Sequence, residues 1–201
     1  MMNKNLTGIL SLIAAAFLAL SGCHRAPADL TTAPLAGAHI GGAFTLTDQN
    51  GRSVTQRDFN GKFVMTYFGY TSCPDACPTD LQHLMAGFAQ FEHDDPTAAA
   101  KLQPLFISVD PARDTPQRLK TFTAAFHPRL LGLTGSDAAI AAMARQYAAV
   151  YQKGVPAANG QYLVDHSRTA ILFGPHGEPI MIMSQDGSAE KIAREFATWV
   201  R

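Results

Sequence analysis

Two cysteines, Cys73 and Cys77, stand four residues apart in Thr71-Ser72-Cys73-Pro74-Asp75-Ala76-Cys77-Pro78, directly behind the apolar run Phe63-Val64-Met65-Thr66-Tyr67-Phe68. Such a run fits a strand buried on both faces. Pro78 suits a first helical turn, and Leu81, Leu84, Met85, Phe88 and Phe91 then recur at spacings of three and four, the pattern of one helix face. The thiols are therefore placed at a strand-to-helix turn. In α/β proteins that turn opens into a crevice, and unpaired N–H groups of the helix's first turn stabilise a thiolate there.

The rest of the chain supplies the layers around that turn. Phe44-Thr45-Leu46, the turn signal Gln49-Asn50-Gly51 and Val54 predict an N-terminal β-hairpin. Pro104 to Val109 reads as a second buried strand. Asp114-Thr115-Pro116 opens a helix carrying Leu119, Phe122 and Phe126, which Pro128 stops. A short strand at 130–133, a helix from Ser136 to Val150, strands at 162–164, 169–173 and 179–183, and a final helix from Ser188 to Trp199 complete the reading. Alternating strands and helices with a closing hairpin describe an α/β sandwich with a mixed central sheet. Cysteines at its first strand-to-helix turn make it thioredoxin-like.

The N-terminus reads as an export signal: Lys4, an apolar run from Leu6 to Leu20, then Leu20-Ser21-Gly22-Cys23. Small residues ahead of a cysteine match a bacterial lipoprotein signal, with cleavage before Cys23 and lipidation of that cysteine. The expected organisation is a signal peptide at 1–23, a flexible Ala-, Pro- and Thr-rich tether at 24–39 and one domain at 40–201, held on the periplasmic side of a membrane by lipid. The formal net charge is zero with no basic stripe, which excludes the electrostatic footprint of a nucleic-acid binder. With Cys23 assigned to lipid, Cys73 and Cys77 are the remaining thiols in an oxidising compartment. A pair there is a disulfide, a redox couple or a metal site.

The spacing alone does not choose among these, because both sulfurs can face one point either to join or to share an ion. Soft thiolates outside the cytoplasm select Cu(I) or Zn(II), and a third donor would help decide. His166, in Val164-Asp165-His166-Ser167, is the candidate: a polar break between apolar runs exposes a loop residue towards the same crevice. Asp110 and Asp114 flank Arg113 and either shape a crevice or docking surface or cap a turn and helix, the reading the cap rule favours. Met181 and Met183 share a strand face and are assigned to the core. His24, His39, His83, His93, His127 and His176 lack ligand spacing and are expected at the surface or as caps. A peroxidase is disfavoured, since its Pro-x-x-x-Thr-x-x-Cys pattern meets Thr66 and Tyr70 here.

Three stretches carry a resemblance. Tyr67-Phe68-Gly69-Tyr70-Thr71-Ser72-Cys73-Pro74-Asp75-Ala76-Cys77-Pro78, then Val109-Asp110-Pro111-Ala112-Arg113-Asp114-Thr115-Pro116, then Asp165-His166-Ser167 resemble the Sco/SenC family over roughly Ile40 to Trp199. The resemblance implies a thioredoxin-fold copper chaperone serving the Cu(A) centre of cytochrome c oxidase, with Cys73, Cys77 and His166 as ligands of Cu(I) or Cu(II). Its expected partners are an oxidase subunit or another copper carrier. Ser72 and Ala76 depart from frequent family residues, at positions that are not ligands. The alternative is an enzyme, a thiol–disulfide reductase using Cys73 and Cys77 to keep an oxidase subunit's cysteines reduced.

Overall fold

The 63–69 stretch has no polar face to offer water, so it takes the middle of the sheet. The structure, a computed structural model, describes residues 26–201. Its strands are β1 (Thr45–Asp48), β2 (Ser53–Thr55), β3 (Phe63–Gly69), β4 (Leu102–Ser108), β5 (Leu131–Thr134), β6 (Tyr151–Lys153), β7 (Val164–His166), β8 (Ala170–Phe173) and β9 (Pro179–Ile182). The α-helices are α1 (Ala76–Asp94), α2 (Pro96–Ala99), α3 (Pro116–Ala124), α4 (Asp137–Gln146) and α5 (Ala189–Trp199). Seven strands form one mixed sheet in the order β2-β1-β5-β4-β3-β8-β9. β3, β4 and β5 run parallel, while β1, β2, β8 and β9 join antiparallel.

Crossover handedness assigns the layers. The steps β3-α1-β4 and β4-α3-β5 move the same way along the sheet, so right-handed connections put α1 and α3 on one face. Packing agrees: Phe106, beside Tyr67 in register, meets Phe122 of α3 at 5.1 Å between ring centroids. α5 joins this layer, with Phe196 against Phe88 and Phe91 of α1. Gly87 permits that approach, because a Cβ there would collide with the Ile192 side chain. The chain then returns from β5 to β8 through α4 on the other face, where Tyr147 packs against Phe44, Phe68 and Phe173. This is the expected thioredoxin-like sandwich with its N-terminal hairpin, Gly51 turning β1 into β2 at a φ of +80°.

Topology brings distant residues to one end of the sheet. The C-terminal ends of β3 and β4 lead to the cysteines and to Asp110. Because β8 is antiparallel to β3, with Tyr67 opposite Ala170, its start lies at that same end, and β7 with His166 immediately precedes it.

Three expectations need correction. The stretch expected to be a flexible tether is docked from Asp29 onwards: the Asp29 carboxylate accepts the Thr31 amide at 3.0 Å, Ala33 is buried and the Leu35 amide donates to the Ile180 carbonyl at 2.9 Å. Leu30, Ala33 and Leu35 cover the flank of β9, an edge strand whose free backbone groups need a partner. His166 lies not in a loop but on β7, opposite Tyr151 of β6, a strand the sequence reading missed because Gln152 and Lys153 are exposed and give no apolar signal. His127 is buried rather than at the surface, its ring edge-on to Phe88 and its Nε2 3.4 Å from Glu92. Cys23 and His24 lie outside the described residues. Among the described residues no helix is long and apolar enough to cross a membrane.

Candidate metal centre

Cys77 sits in the first turn of α1 and is fully buried, whereas Cys73, in the loop before it, is half-buried; both are free thiols. The helix begins in an unusual way. Asp75 occupies the N-cap position but its side chain makes no capping bond and is exposed. The Cys77 amide, the second of the helix, instead donates to Cys73 Sγ at 3.4 Å. A sulfur thus takes the place of the usual capping oxygen at the start of the helix.

His166 closes the group. Its Nε2 lies 3.1 Å from Cys77 Sγ and 4.0 Å from Cys73 Sγ. Its Nδ1 lies 3.1 Å from the Ser167 carbonyl, which can only accept, so Nδ1 carries the proton and Nε2 presents a lone pair to the sulfurs. Tyr67 and Tyr70 stand edge-on to the ring on either side, with centroids 6.3 and 5.9 Å away. The three donor atoms lie within 4.8 Å of one another, and they are the one such His/Cys/Asp/Glu group among the described residues. An ion about 2.0–2.3 Å from each donor separates the donors by about 3.5–4 Å, a range that the nitrogen–sulfur distances of 3.1 and 4.0 Å bracket. Two thiolates, one imidazole and no carboxylate make a soft, three-donor set, which suits Cu(I) better than four-coordinate Zn(II).

Electrostatics set the cost of loading. Burial pushes the Cys77 thiol well above its ordinary 9.0, partly offset by the Tyr70 amide, so the metal-free pair holds that proton at neutral pH. Tyr67 is likewise raised, first by burial and then by the neighbouring sulfur, and remains a neutral donor.

The floor of the site depends on an absent side chain. A Cβ at Gly69 would lie 2.7 Å from Cys77 Sγ, 3.0 Å from Phe106 and 3.1 Å from Tyr67, all buried groups with nowhere to retreat. Gly69→Ala is expected to destabilise the fold by about 1–3 kcal/mol and to displace the sulfur. Chemical denaturation reads the first effect and loss of metal retention the second; wild-type values for both would contradict the geometry.

Asp110 and Asp114 are fully buried and shape the crevice from behind. Asp114 accepts from the Thr71 amide (3.0 Å), Thr71 Oγ1 (2.6 Å) and Ser108 Oγ (2.6 Å), fixing the loop that carries Cys73. The cap of α3, which the sequence suggested for these acids, is Thr115, whose hydroxyl accepts the Arg118 amide. Asp110 binds Arg113 and accepts the Tyr162 hydroxyl at 2.7 Å, with the guanidinium 3.7 Å from the Tyr162 ring centroid. Met183 is buried in the core, as expected, and Met181 packs against it. Two residues the sequence reading passed over are Asp80 and Arg168. Asp80 was discoverable, as an acid on the apolar stripe of α1 between Cys77 and Leu84; Arg168 carries no such mark.

Residues 32–201 match the family model SCO1/SenC. The chain is 42% identical over 162 residues to the mitochondrial Protein SCO2 homolog of Bos taurus, covering 80% of this chain and 60% of that protein. It is 37% identical to the mitochondrial Protein SCO1 homolog of Homo sapiens, covering 81% and 53%. This chain therefore spans less than two thirds of those relatives' length. Among solved structures it is similar to copper-bound ScoI of Bradyrhizobium japonicum (38% identity, TM-score 0.73, 80% of this chain and 99% of that one). Copper-bound ScoI of Arabidopsis thaliana is comparable (35%, TM-score 0.74, 81% and 98%).

Proposed function

The chain belongs to the SCO1/SenC family, and from that premise we propose that it carries copper as cargo on Cys73, Cys77 and His166 and delivers it to the cytochrome c oxidase subunit that holds the Cu(A) site, or to another copper carrier. The observation that carries this reading is the convergence of an imidazole lone pair on two sulfurs from a segment 89 residues further along the chain. Redox exchange between thiols needs only the two sulfurs. Three soft donors satisfy Cu(I); Cu(II) needs one further weak donor or water, which the half-buried Cys73 side leaves room for. The copper domain takes in residues 40–201 with the 29–38 strap docked on it, and the relatives' copper-bound structures support the metal assigned to it. Lipidation at Cys23 would hold it at the periplasmic face of a membrane.

A second reading, thiol–disulfide reductase, is favoured by the partial exposure of the Cys73 sulfur beside the buried Cys77. There the two thiols pass two electrons and two protons to a partner's disulfide and become a disulfide themselves. That closure also ejects copper, so the two roles exclude each other at any instant.

Titration of the reduced protein with Cu(I) against a competing chelator separates the readings: one tightly held ion per chain is expected, and preference for zinc or no uptake would favour the reductase. The pH dependence has a fixed sign. Because the Cys77 proton sits on a thiol raised above 9.0, binding must expel it throughout pH 6–8. Apparent affinity therefore falls as pH falls, about tenfold per pH unit for each proton released. A pH-independent affinity would mean that Cys77 is not bound as thiolate.

A further inference from the structure

Resting on the copper reading above, we infer that the Asp80–Arg168 pair is a latch that holds His166 over the sulfurs, making both of them positioning residues for the metal centre. Asp80 lies one helical turn after Cys77, and Arg168 lies two residues after His166. The guanidinium grips the carboxylate with two N–H groups, Nε to Oδ2 at 2.9 Å and Nη2 to Oδ1. The Tyr67 hydroxyl, from the residue whose ring flanks His166, donates to Oδ2 at 2.7 Å. Asp80 is completely buried, while Arg168 is half exposed and reaches in from the surface.

The placement of this pair sets it apart. Four buried carboxylates among the described residues meet an arginine. In Arg52–Asp48, Arg113–Asp110 and Arg118–Asp114 the ion pair itself joins residues only three or four apart. Arg168–Asp80 joins residues 88 apart, and the two segments it joins are those that bear His166 and Cys77. A two-pronged guanidinium–carboxylate contact fixes orientation as well as distance. Anchored by it on one side, and by the Val164 amide donating to the Tyr70 hydroxyl at 3.2 Å on the other, β7 cannot swing its imidazole away cheaply. The pair is also neutral, so a buried carboxylate can stand near two thiolates without opposing their charge.

The test is a double-mutant cycle on Cu(I) affinity, read by chelator competition on the reduced full-length protein. Arg168→Ala is expected to weaken binding roughly 10–100-fold, the usual effect of losing a group that orients a ligand. Arg168→Lys, which keeps the charge but not the fork, is expected to recover part of that. In a His166→Ala background, Arg168→Ala should change affinity less than about twofold, because its target is gone. Electron paramagnetic resonance of the Cu(II) form should lose nitrogen coupling in Arg168→Ala. Should the alanine variant fail to fold, Arg168→Gln, which keeps the stem, takes its place. Full affinity in Arg168→Ala, or an equal loss with and without His166, would overturn the latch. If His166→Ala alone leaves affinity intact, the ligand reading falls, and the latch with it.

Discussion

His166→Ala is expected to lose copper while still closing its cysteines into a disulfide. The ring supplies one of three donors, and no fourth His, Cys, Asp or Glu joins the group among the described residues to replace it. The loss should therefore exceed the roughly 10–100-fold that removal of an outer-shell partner costs. The half-buried imidazole does not support the core as Leu84 or Phe88 does, so thermal stability should change little. Disulfide formation needs only the sulfurs of Cys73 and Cys77, which stay close through the helix start. Cu(I) competition and thiol counting after mild oxidation read the two effects separately. A variant that retains Cu(I) and Cu(II) as well as its parent would remove His166 from the ligand set and leave a dithiol.

Asp114→Ala should produce the largest loss of stability. The carboxylate is fully buried and accepts three hydrogen bonds, from the Thr71 amide, the Thr71 hydroxyl and the Ser108 hydroxyl. Alanine leaves those donors without their acceptor. Since each stranded group costs about 1–3 kcal/mol and the hydroxyls can turn elsewhere, the expected total is about 3 kcal/mol. For a domain of this size that is a drop of roughly 6–12 °C in Tm. Copper retention should weaken too, because Thr71 begins the loop that positions Cys73. Asp114→Asn keeps an acceptor oxygen and should fall between. A melting temperature within about 2 °C of wild type for Asp114→Ala would show that the loop is held by something else.

How much of this the sequence disclosed depended on whether a signal is local. The run at 63–68, the helical period behind Cys77 and the Gln49-Asn50-Gly51 turn are local patterns, and they led to β3, α1 and the first hairpin. His166 was identifiable as a candidate because a three-part motif marked it; its place on a strand was not, since β6 and β7 are three residues each and β6 offers no buried side chain. The docked Leu30–Leu35 strap was missed because Ala, Pro and Thr dominate its composition, and only three apolar residues touch the sheet flank. Asp114 followed a rule that fits the neighbouring Thr115 instead. The Asp80–Arg168 contact was beyond reach altogether: partners 88 residues apart share no period, and only topology makes them neighbours.

A helix whose opening turn is closed by a sulfur has an end that answers to chemistry. Oxygen caps keep their electron density whatever passes nearby; this one gives its lone pairs to copper or to a second sulfur, and the Cys77 amide then has a poorer acceptor. The hydrogen bond that closes the first turn is thereby tied to what Cys73 Sγ carries.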